Sequence, residues 1–440
     1  MAIVAQVVFA IVLLAAAGLF YVQVQKIRAN ILLGREVAFS GTSKERWITL
    51  LKVAIGQGKM TKKPLSGALH IIVYLGFVFI NIEVVEIVVD GLFGTHRFLH
   101  FLGGFYDFMI GSFEVLALGV LLACVVFLIR RNVLKIKRFF GAEMTKWPTS
   151  DANIILVVEI LLMTAFLTMN AADSLLQSRN VEHYLSAGSF PISGLISPLF
   201  GGMDSEGLIF IERFCWWFHI VGILAFLNYL PISKHFHIIL AFPNVYYSKL
   251  QAKGQLTNMS AVTEQVKMMM DPNGDPYAAP AEDTAVPATF GAKDVKDLPW
   301  TSIMHAYTCT ECGRCTDACP ASTTGKKLSP RKIMMDVRDR AEELGALVRS
   351  QGVEATDGKG LISDYITAEE IWACTTCNAC TEACPVNNDP LAVIVELRRY
   401  LVMEQSAAPQ ELNLMFGNVE NNGAPWQFSM TDRMNWAQED

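Results

Sequence analysis

Charged residues are scarce in this chain of 440 residues, at 18%, whereas hydrophobic residues make up 52%. This composition excludes a disordered or collagen-like chain, because neither carries so much apolar sequence. Basic residues are also outnumbered by acidic ones: the formal net charge is −6, and lysines and arginines are not interleaved with aromatic residues. We therefore expect no nucleic-acid partner. No nucleotide-binding fingerprint or catalytic triad motif is visible either, which predicts that substrate chemistry takes place on another chain.

Hydrophobic residues are concentrated in residues 1–242, the predicted membrane domain. A helix needs roughly 20 residues to cross a hydrocarbon layer of about 30 Å. Five stretches meet that length, over approximately residues 4–24, 65–89, 105–129, 154–172 and 208–230. The first has no basic residue before it and no convincing cleavage site, which indicates an uncleaved anchor rather than a signal peptide. The sequence predicts a five-helix transmembrane bundle.

Lysine and arginine are distributed unevenly among the connecting loops. Residues 26–63 contain nine of them and residues 130–146 contain six, whereas the opposite loops hold little beyond Arg97 and Arg179. Loops rich in positive charge stay in the cytoplasm. We therefore expect a multi-pass protein of the cytoplasmic (inner) membrane, with its N-terminus outside and its C-terminal half in the cytoplasm.

Eight of the ten cysteines form two identical runs in the C-terminal half, each followed by proline. Every cysteine of the second run lies 65 positions after its counterpart in the first. This spacing is typical of two-cluster ferredoxins, in which three cysteines of one run and the fourth of the other bind each [4Fe–4S] cluster. One cluster is predicted at Cys309, Cys312, Cys315 and Cys384. The other is predicted at Cys374, Cys377, Cys380 and Cys319.

Zinc and disulfide bonds are the alternatives for paired cysteines. Zinc suits Cys-x-x-Cys pairs but does not require a third cysteine at the same interval and a Cys-Pro, twice over. Disulfides are disfavoured in the cytoplasm. Helices predicted over residues 329–345 and 391–404 favour an α-helical ferredoxin domain, so the expected fold is mainly α. We divide the chain into a membrane domain at 1–242, a linker at 243–300, a ferredoxin domain at 301–405 and a tail at 406–440.

Histidines inside or beside the predicted spans are candidate haem ligands, because ionisable groups in lipid usually mark functional sites. His219 lies in the fifth span and His237 follows 18 residues later. In one continuous helix that is five turns, so both side chains project from one face about 27 Å apart. His235 lies off that face, and Pro231 can kink the helix between the pair.

Three further histidines sit at matching depths. His70 begins the second span on the cytoplasmic side, level with His237, whereas His96 and His100 lie in the outer loop nearer His219. Two levels of histidine are what bis-imidazole ligation of two stacked b-type haems requires. We predict a haem b at the inner level, and a second one at the outer level if His96 or His100 is the second ligand there. Satisfied interior histidines are the alternative.

The chain resembles membrane-bound iron–sulfur oxidoreductases related to heterodisulfide reductase. The five spans with His70, His219 and His237 resemble the cytochrome b module of the gamma subunit of respiratory nitrate reductase. The twin cysteine runs resemble the helical ferredoxin of heterodisulfide reductase. Residues 418–426 with Trp436 resemble a segment after the cysteine motifs in glycolate-oxidase-type and flavoprotein-linked relatives. The resemblance implies two clusters, with His70, His219 and His237 as haem ligands.

Two departures from the family pattern matter. The nitrate reductase pattern places another histidine about ten residues after the first in the second span, and here that position is Ile80. Either His96 or His100 replaces it, or the outer haem is missing. The Cys-Cys-Gly repeat that relatives use as a catalytic or docking domain is also missing. If the resemblance holds, that domain is a separate iron–sulfur partner chain.

These features predict the electron-transfer component of a membrane oxidoreductase complex. Electrons pass between a cytoplasmic flavoprotein or dehydrogenase and membrane quinone, through two [4Fe–4S] clusters and haem. The alternative is a membrane-tethered iron–sulfur redox sensor or scaffold without haem conduction. A transporter is disfavoured, because no pair of broken membrane segments indicates a midplane substrate site.

Overall fold

The computed structural model describes residues 2–252, 254–272 and 289–438. Within these ranges the chain forms helices and no strands, with two isolated bridges between extended residues. The long helices of the first half are α1 (Ala2–Ile31), α2 (Ser43–Leu50), α3 (Pro64–Phe93), α4 (Gly104–Leu128), α5 (Lys146–Ser178) and α6 (Ser205–Tyr229). Shorter helical turns cover Leu51–Ile55, Phe98–Leu102, Ile129–Val133, Lys137–Phe139, Ser193–Ile196, Ser197–Phe200, Leu230–Ile232 and Lys234–Phe236. The predicted mainly helical fold is confirmed.

Five helices are long and apolar enough to cross a membrane, as predicted. They span Ile3–Ile31, Pro64–Phe93, Gly104–Val133, Lys146–Ser178 and Ser205–Ile232. Only 11% of the most apolar window of α1 is buried against the protein. Its apolar side chains therefore face outward, which a lipid environment accommodates and water does not. We call the end of this bundle that meets the cysteine-rich half the cluster-facing end, and the opposite end the distal end.

The second half contains α7 (His237–Tyr246), α8 (Ser260–Met270), α9 (Trp300–Tyr307), α10 (Pro330–Gln351), α11 (Pro390–Met403) and α12 (Gln410–Asn422). Shorter helices cover Val295–Asp297, Arg314–Ala318, Pro320–Thr323, Leu361–Asp364, Ala368–Trp372, Ala379–Ala383 and Met430–Ala437. The centre of the linker predicted at 243–300, residues 273–288, lies outside the described residues. After it, Ala292, Val295 and Leu298 are fully buried in the core of the cysteine-rich half.

Helix α10 begins on the signals expected from its sequence but does not end at the predicted residue. The Ser329 side chain accepts the Lys332 N–H, and Pro330 occupies the first turn, where its missing N–H costs nothing. The helix continues past Gly345, the predicted end, to Gln351. Gly345 serves close packing instead: a Cβ there would lie 2.0 Å from Oδ1 of Asn30 on α1.

The end of α1 is built into the cysteine-rich half. Ile27 and Ile31 belong to the same hydrophobic core as Leu298. The Asn30 amide donates to the Tyr307 hydroxyl at 2.8 Å. Just after the helix, the Arg35 N–H donates to the Leu298 carbonyl at 2.9 Å. These contacts fix the cysteine-rich half against the membrane bundle.

Helix α6 ends at Tyr229, so the interpretation of His219 and His237 on one continuous helix is wrong. Pro231 stops the helix, because a proline removes one backbone hydrogen bond and its ring clashes with the preceding turn. Two short turns follow, and His237 begins the separate helix α7. The position of His237 therefore depends on how deep in the bundle helix α7 begins, and not on a helical face shared with His219.

Candidate electron-transfer site

The two cysteine runs repeat in backbone conformation as well as in sequence. Glu311 and Thr376, 65 positions apart, both have positive φ, at 51° and 56°. The same holds for Gly313 and Asn378, at 71° and 61°. A short helix follows each, at Arg314–Ala318 and Ala379–Ala383. Both loops therefore turn the same way, and a left-handed residue before each helix lets the cysteines converge.

One cavity is lined by a cysteine set drawn from both runs, and we call it site I. The four thiols that line it belong to Cys309, Cys312, Cys315 and Cys384. The Asn388 N–H donates to the Cys384 sulfur at 3.2 Å. Burial raises the pKa of the Cys309 thiol to about 11 and that of Cys384 to about 12. Thiolates at such buried positions need a strongly positive group beside them, which an iron–sulfur core supplies.

The remaining four cysteines form site II. Cys374 lies within electrostatic range of Cys377 and of Cys319 from the first run, and Cys380 lies within range of Cys374. The Thr376 N–H donates to the Cys374 sulfur at 3.4 Å. Cys377 is exposed, unlike any thiol of site I. Cys319 of the first run thus lies within range of the second run, whereas the binding of a cluster by these four cysteines stays a prediction. The exposed Cys377 makes site II the more accessible of the two sites.

Site I faces the membrane bundle. The guanidinium of Arg314, next to Cys315, donates to the Lys59 carbonyl at 3.2 Å, and the Lys59 ammonium donates to the Cys384 carbonyl at 3.2 Å. Arg314 also lies within electrostatic range of His70. The loop after α2 therefore touches both runs at site I and connects them to the start of α3.

A second loop of the membrane bundle, between α4 and α5, closes over the same site. The Arg331 guanidinium donates to the Arg138 carbonyl at 2.7 Å and forms an ion pair with Glu143 at 2.7 Å. Arg331 is 1% exposed. A Cβ on Gly313 would lie 2.8 Å from the Arg138 carbonyl, so this close approach also requires glycine. Burying an arginine is costly unless it is paired. Here the ion pair of Arg331 with Glu143 forms where the loop between α4 and α5 packs against site I.

His70 and His237 come together at the cluster-facing end. Their ring centroids are 6.5 Å apart, with 42° between the ring planes. Imidazoles bound to opposite sides of one iron place their centroids about 6 Å apart, given metal–nitrogen bonds of about 2 Å. The His237 Nδ1 bonds the Lys234 carbonyl at 3.0 Å, which leaves Nε2 for a metal. Burial lowers the pKa of His237 and so favours the neutral imidazole that binds iron. The pair fits the axial ligation of one haem.

Asp151 on α5 positions the segment that delivers His237. Its carboxylate accepts from the Tyr229 hydroxyl at 2.6 Å, the Ser233 hydroxyl at 2.7 Å and the Lys234 N–H at 3.1 Å. Asp151 is 2% exposed. Sequence reasoning missed this residue, because a lone carboxylate near the start of a span carries no local signal of its partners.

His235 is adjacent to the pair but differently oriented. Its ring centroid lies 5.6 Å from that of His237, at 85°, and it also packs against Phe226. Burial lowers the pKa of His235 to about 3. His70, which comes from a different helix, stays the predicted second inner ligand, with His235 beside the pair.

The distal histidines are separate from one another. His219 is 1% exposed, its Nδ1 bonds the Leu162 carbonyl at 3.0 Å, and the ring beside it is Phe166. His96 pairs instead with Asp173 at 3.3 Å, and the His100 Nδ1 bonds the Arg97 carbonyl at 2.9 Å. No ring contact joins His96 or His100 to His219 within the described residues. The outer ligand pair predicted from the sequence is thus not assembled in this structure.

A cavity of about 450 Å³ opens instead at the distal end. We call it the distal cavity; its polar lining includes Glu83, Glu86, Asp90, His96, Arg97, Asp173, His183, Glu212 and Arg213, and its aromatic lining includes Phe9, Trp216 and Trp217. Glu83 Oε2 and His96 Nδ1 are buried at this cavity and have no hydrogen-bond partner in the described part of the chain, and neither has Asp173 Oδ1, which lies 3.3 Å from Nε2 of His96. Such a wall of aromatic rings beside free donors and acceptors suits an amphipathic ring ligand. His183 was not found from the sequence, because it lies in an irregular loop.

A family model described as a 4Fe-4S dicluster domain matches residues 308–388, which include all eight cysteines of the two runs. The chain is thus a protein with a 4Fe–4S ferredoxin-type domain attached to five apolar helices. It is related to iron–sulfur oxidoreductases and to iron–sulfur components of heterodisulfide reductase.

Three relatives define this relationship. The chain is 30% identical to the probable iron-sulfur-binding oxidoreductase FadF of Bacillus subtilis, over 98% of this chain and 60% of FadF. It is 27% identical to the EtfAB:quinone oxidoreductase of Syntrophomonas wolfei, over 88% of this chain and 53% of that protein. It is 33% identical to one component of a CoB-CoM heterodisulfide reductase of Methanosarcina acetivorans, over 24% of this chain and 53% of that component. The chain thus spans little more than half the length of these relatives. No solved structure matches it.

Proposed function

We propose that this protein is the membrane-bound electron-transfer subunit of an oxidoreductase complex. Electrons pass between a cytoplasmic redox partner and the membrane quinone pool, through [4Fe–4S] clusters at sites I and II and a b-type haem at His70 and His237. The observation that carries the proposal is the histidine pair at the cluster-facing end, where Arg314 of the site I loop lies within electrostatic range of His70.

The exposure of the cysteines supports an order along this route. Site II includes the exposed Cys377, so a soluble partner can approach it, whereas site I is enclosed by the loops of the membrane bundle. Site II therefore exchanges electrons with the partner and site I with the haem. The histidine pair then holds the haem at the cluster-facing end, where bound haem supplies one-electron chemistry between cluster and quinone.

Quinone as the membrane-side substrate is supported by the name of the Syntrophomonas wolfei relative and by the distal cavity. Its aromatic wall suits a quinone ring, and Glu83 and His96 can exchange hydrogen bonds with the two quinone oxygens. Glu83 follows His70 by 13 positions on α3, about 20 Å along the helix axis. We propose one haem, held by His70 and His237.

A flavoprotein is the proposed electron-exchange partner, with a separate Cys-Cys-Gly iron–sulfur chain between it and this protein. The relative named for EtfAB supports the flavoprotein, and the separate Cys-Cys-Gly chain is proposed on the family resemblance. We place the cluster domain in the cytoplasm and the N-terminus outside, on the distribution of positive charge. The nitrate-reductase-like cytochrome b character of the bundle is part of the same proposal.

The test is cofactor analysis of the full chain after gentle solubilisation from membranes. We expect about eight irons in clusters, a b-type α-band on reduction, and electron transfer from reduced clusters to a quinone analogue. Clusters without any haem band would overturn the electron-conduit proposal and favour the redox sensor or scaffold. Identification of chains that co-purify tests the flavoprotein and Cys-Cys-Gly partners.

A further inference from the structure

A single lysine connects the histidine pair to site I. Lys234 lies in the short turn before His237, with 9% of its side chain exposed. Its ammonium forms an ion pair with Glu311 at 2.5 Å and donates to the Pro148 carbonyl at 2.6 Å. Its carbonyl meanwhile accepts from the His237 ring at 3.0 Å. Lys234 therefore holds the histidine with its backbone and the cluster domain with its side chain.

Glu311, the ion-pair partner of Lys234, lies in the site I loop between Cys309 and Cys312. Its backbone is left-handed, with a φ of 51°. Its carboxylate is 3% exposed and pairs with Arg338 at 2.8 Å as well as with Lys234. A lysine from the turn before His237 and an arginine from α10 thus hold this one glutamate between the two halves.

Together these contacts form two hydrogen-bonded links between the halves. The His237 ring bonds the Lys234 carbonyl, and the Lys234 ammonium bonds the carboxylate of Glu311, which lies in the loop between Cys309 and Cys312. The other lysine–glutamate pair across this interface, Lys62 with Glu382, is largely exposed and does not involve a residue beside a candidate haem ligand.

We infer that Lys234 is a positioning residue that fixes the haem at His237 relative to the cluster at Cys309, and so sets the rate of electron transfer between them. The inference rests on the proposed function, since it takes both groups as bound. With both groups bound, the step that Lys234 positions would be the transfer of one electron between the cluster that Cys309 would hold and the haem that His70 and His237 would hold. A reduced flavoprotein would supply the electron and a quinone would accept it.

The geometry explains why the side chain matters. A buried ion pair contributes little net stability but specifies one arrangement of the groups that flank it. Removing the ammonium frees the turn that carries His237 from the loop that carries Cys309. Displacements of about 1 Å are known to reduce rates by large factors when a reaction depends on fixed geometry. The substitution leaves His70, His237 and the cysteines themselves unaltered, so both cofactor sites keep their ligands.

The experiment compares Lys234→Met, Lys234→Arg and Lys62→Met in the full-length solubilised protein. A photochemical reductant delivers one electron to the clusters, and the rise of the haem α-band gives the transfer rate. Haem content, cluster resonance signals and the haem midpoint potential are measured on the same samples. We expect Lys234→Met to slow the transfer about tenfold or more with both cofactors retained. Lys234→Arg should recover most of the rate, and Lys62→Met should retain it, because exposed pairs contribute little.

Equal rates in Lys234→Met and the unaltered protein would overturn the inference, as would an equal loss in Lys62→Met. If Lys234→Met does not accumulate, Glu311→Gln removes the same ion pair with nearly unchanged volume and decides the question by the same rate. Absence of haem from the unaltered protein is a different result, which rejects the proposed function itself.

Discussion

His70 and His237 face each other with ring centroids 6.5 Å apart, although one begins a membrane-spanning helix and the other begins a helix beyond the last span. Arg314, which follows the bend of the first cysteine run, lies within electrostatic range of His70. Two candidate haem ligands from two parts of the chain thus meet at the junction of its two halves.

Replacing His237 with alanine should remove the haem of the cluster-facing end, because one of its two axial ligands is lost. Optical spectroscopy should show the b-type band strongly reduced, and reduction of a quinone analogue should stop. The cluster resonance signals should be unchanged. The matched control is His235→Ala, which removes the neighbouring imidazole and should keep the band. Retention of full haem content in His237→Ala would show that the ligand assignment is wrong.

Cys315→Ser and Cys384→Ser should impair the same cluster, since both thiols line site I although they belong to different runs. Iron content should fall from about eight to about four per chain in each variant. Cys380→Ser, at the position equivalent to Cys315, should remove the other cluster. Electron paramagnetic resonance distinguishes the two signals. If Cys384→Ser and Cys380→Ser lose the same signal, the runs do not exchange their fourth cysteines.

Arg97→Met should destabilise the distal end of the bundle. Arg97 is buried and pairs with Asp173 at 2.6 Å and with the Asn170 side chain at 2.9 Å, so its removal leaves an uncompensated buried carboxylate. The expected cost is about 3 kcal/mol. Thermal unfolding in detergent measures it, and Arg97→Met combined with Asp173→Asn should recover much of the loss. Additive effects of the two substitutions would contradict the pairing.

Arg340→Met should weaken the cluster domain without changing either cofactor site. The guanidinium is 1% exposed and pairs with Asp294 and Asp357, each at 2.7 Å. Both carboxylates are partly solvated, so we expect about 2 kcal/mol, below the value for a fully buried pair. The shift in unfolding temperature is measured from the thermal loss of the visible cluster absorption. Lys359→Met, which breaks an exposed pair with Glu343, is the control and should change stability by less than about 1 kcal/mol.

Features set by local sequence were predictable. Cysteine spacing indicated the iron–sulfur domain, and long apolar runs indicated the five spans. The left-handed residues Glu311 and Thr376 were not predicted, because neither residue type signals such a backbone conformation. The positions of His237 and Lys234 depend on the break at Pro231 and on Asp151, which contacts that turn from another helix. The link from Lys234 to Glu311 joins residues 77 positions apart, so no local pattern marks it.

The anchorage of α1 has a further consequence. Because Asn30 bonds Tyr307, and Gly345 lets α10 approach α1 closely, the ferredoxin half is attached through the first span as well as through the chain that follows the last one. A domain held at two points does not swing on a tether. The rate of electron transfer between its clusters and the membrane cofactor should then be independent of solvent viscosity. Only the exchange with the soluble partner should depend on a diffusive encounter, the step that limits a mobile electron carrier.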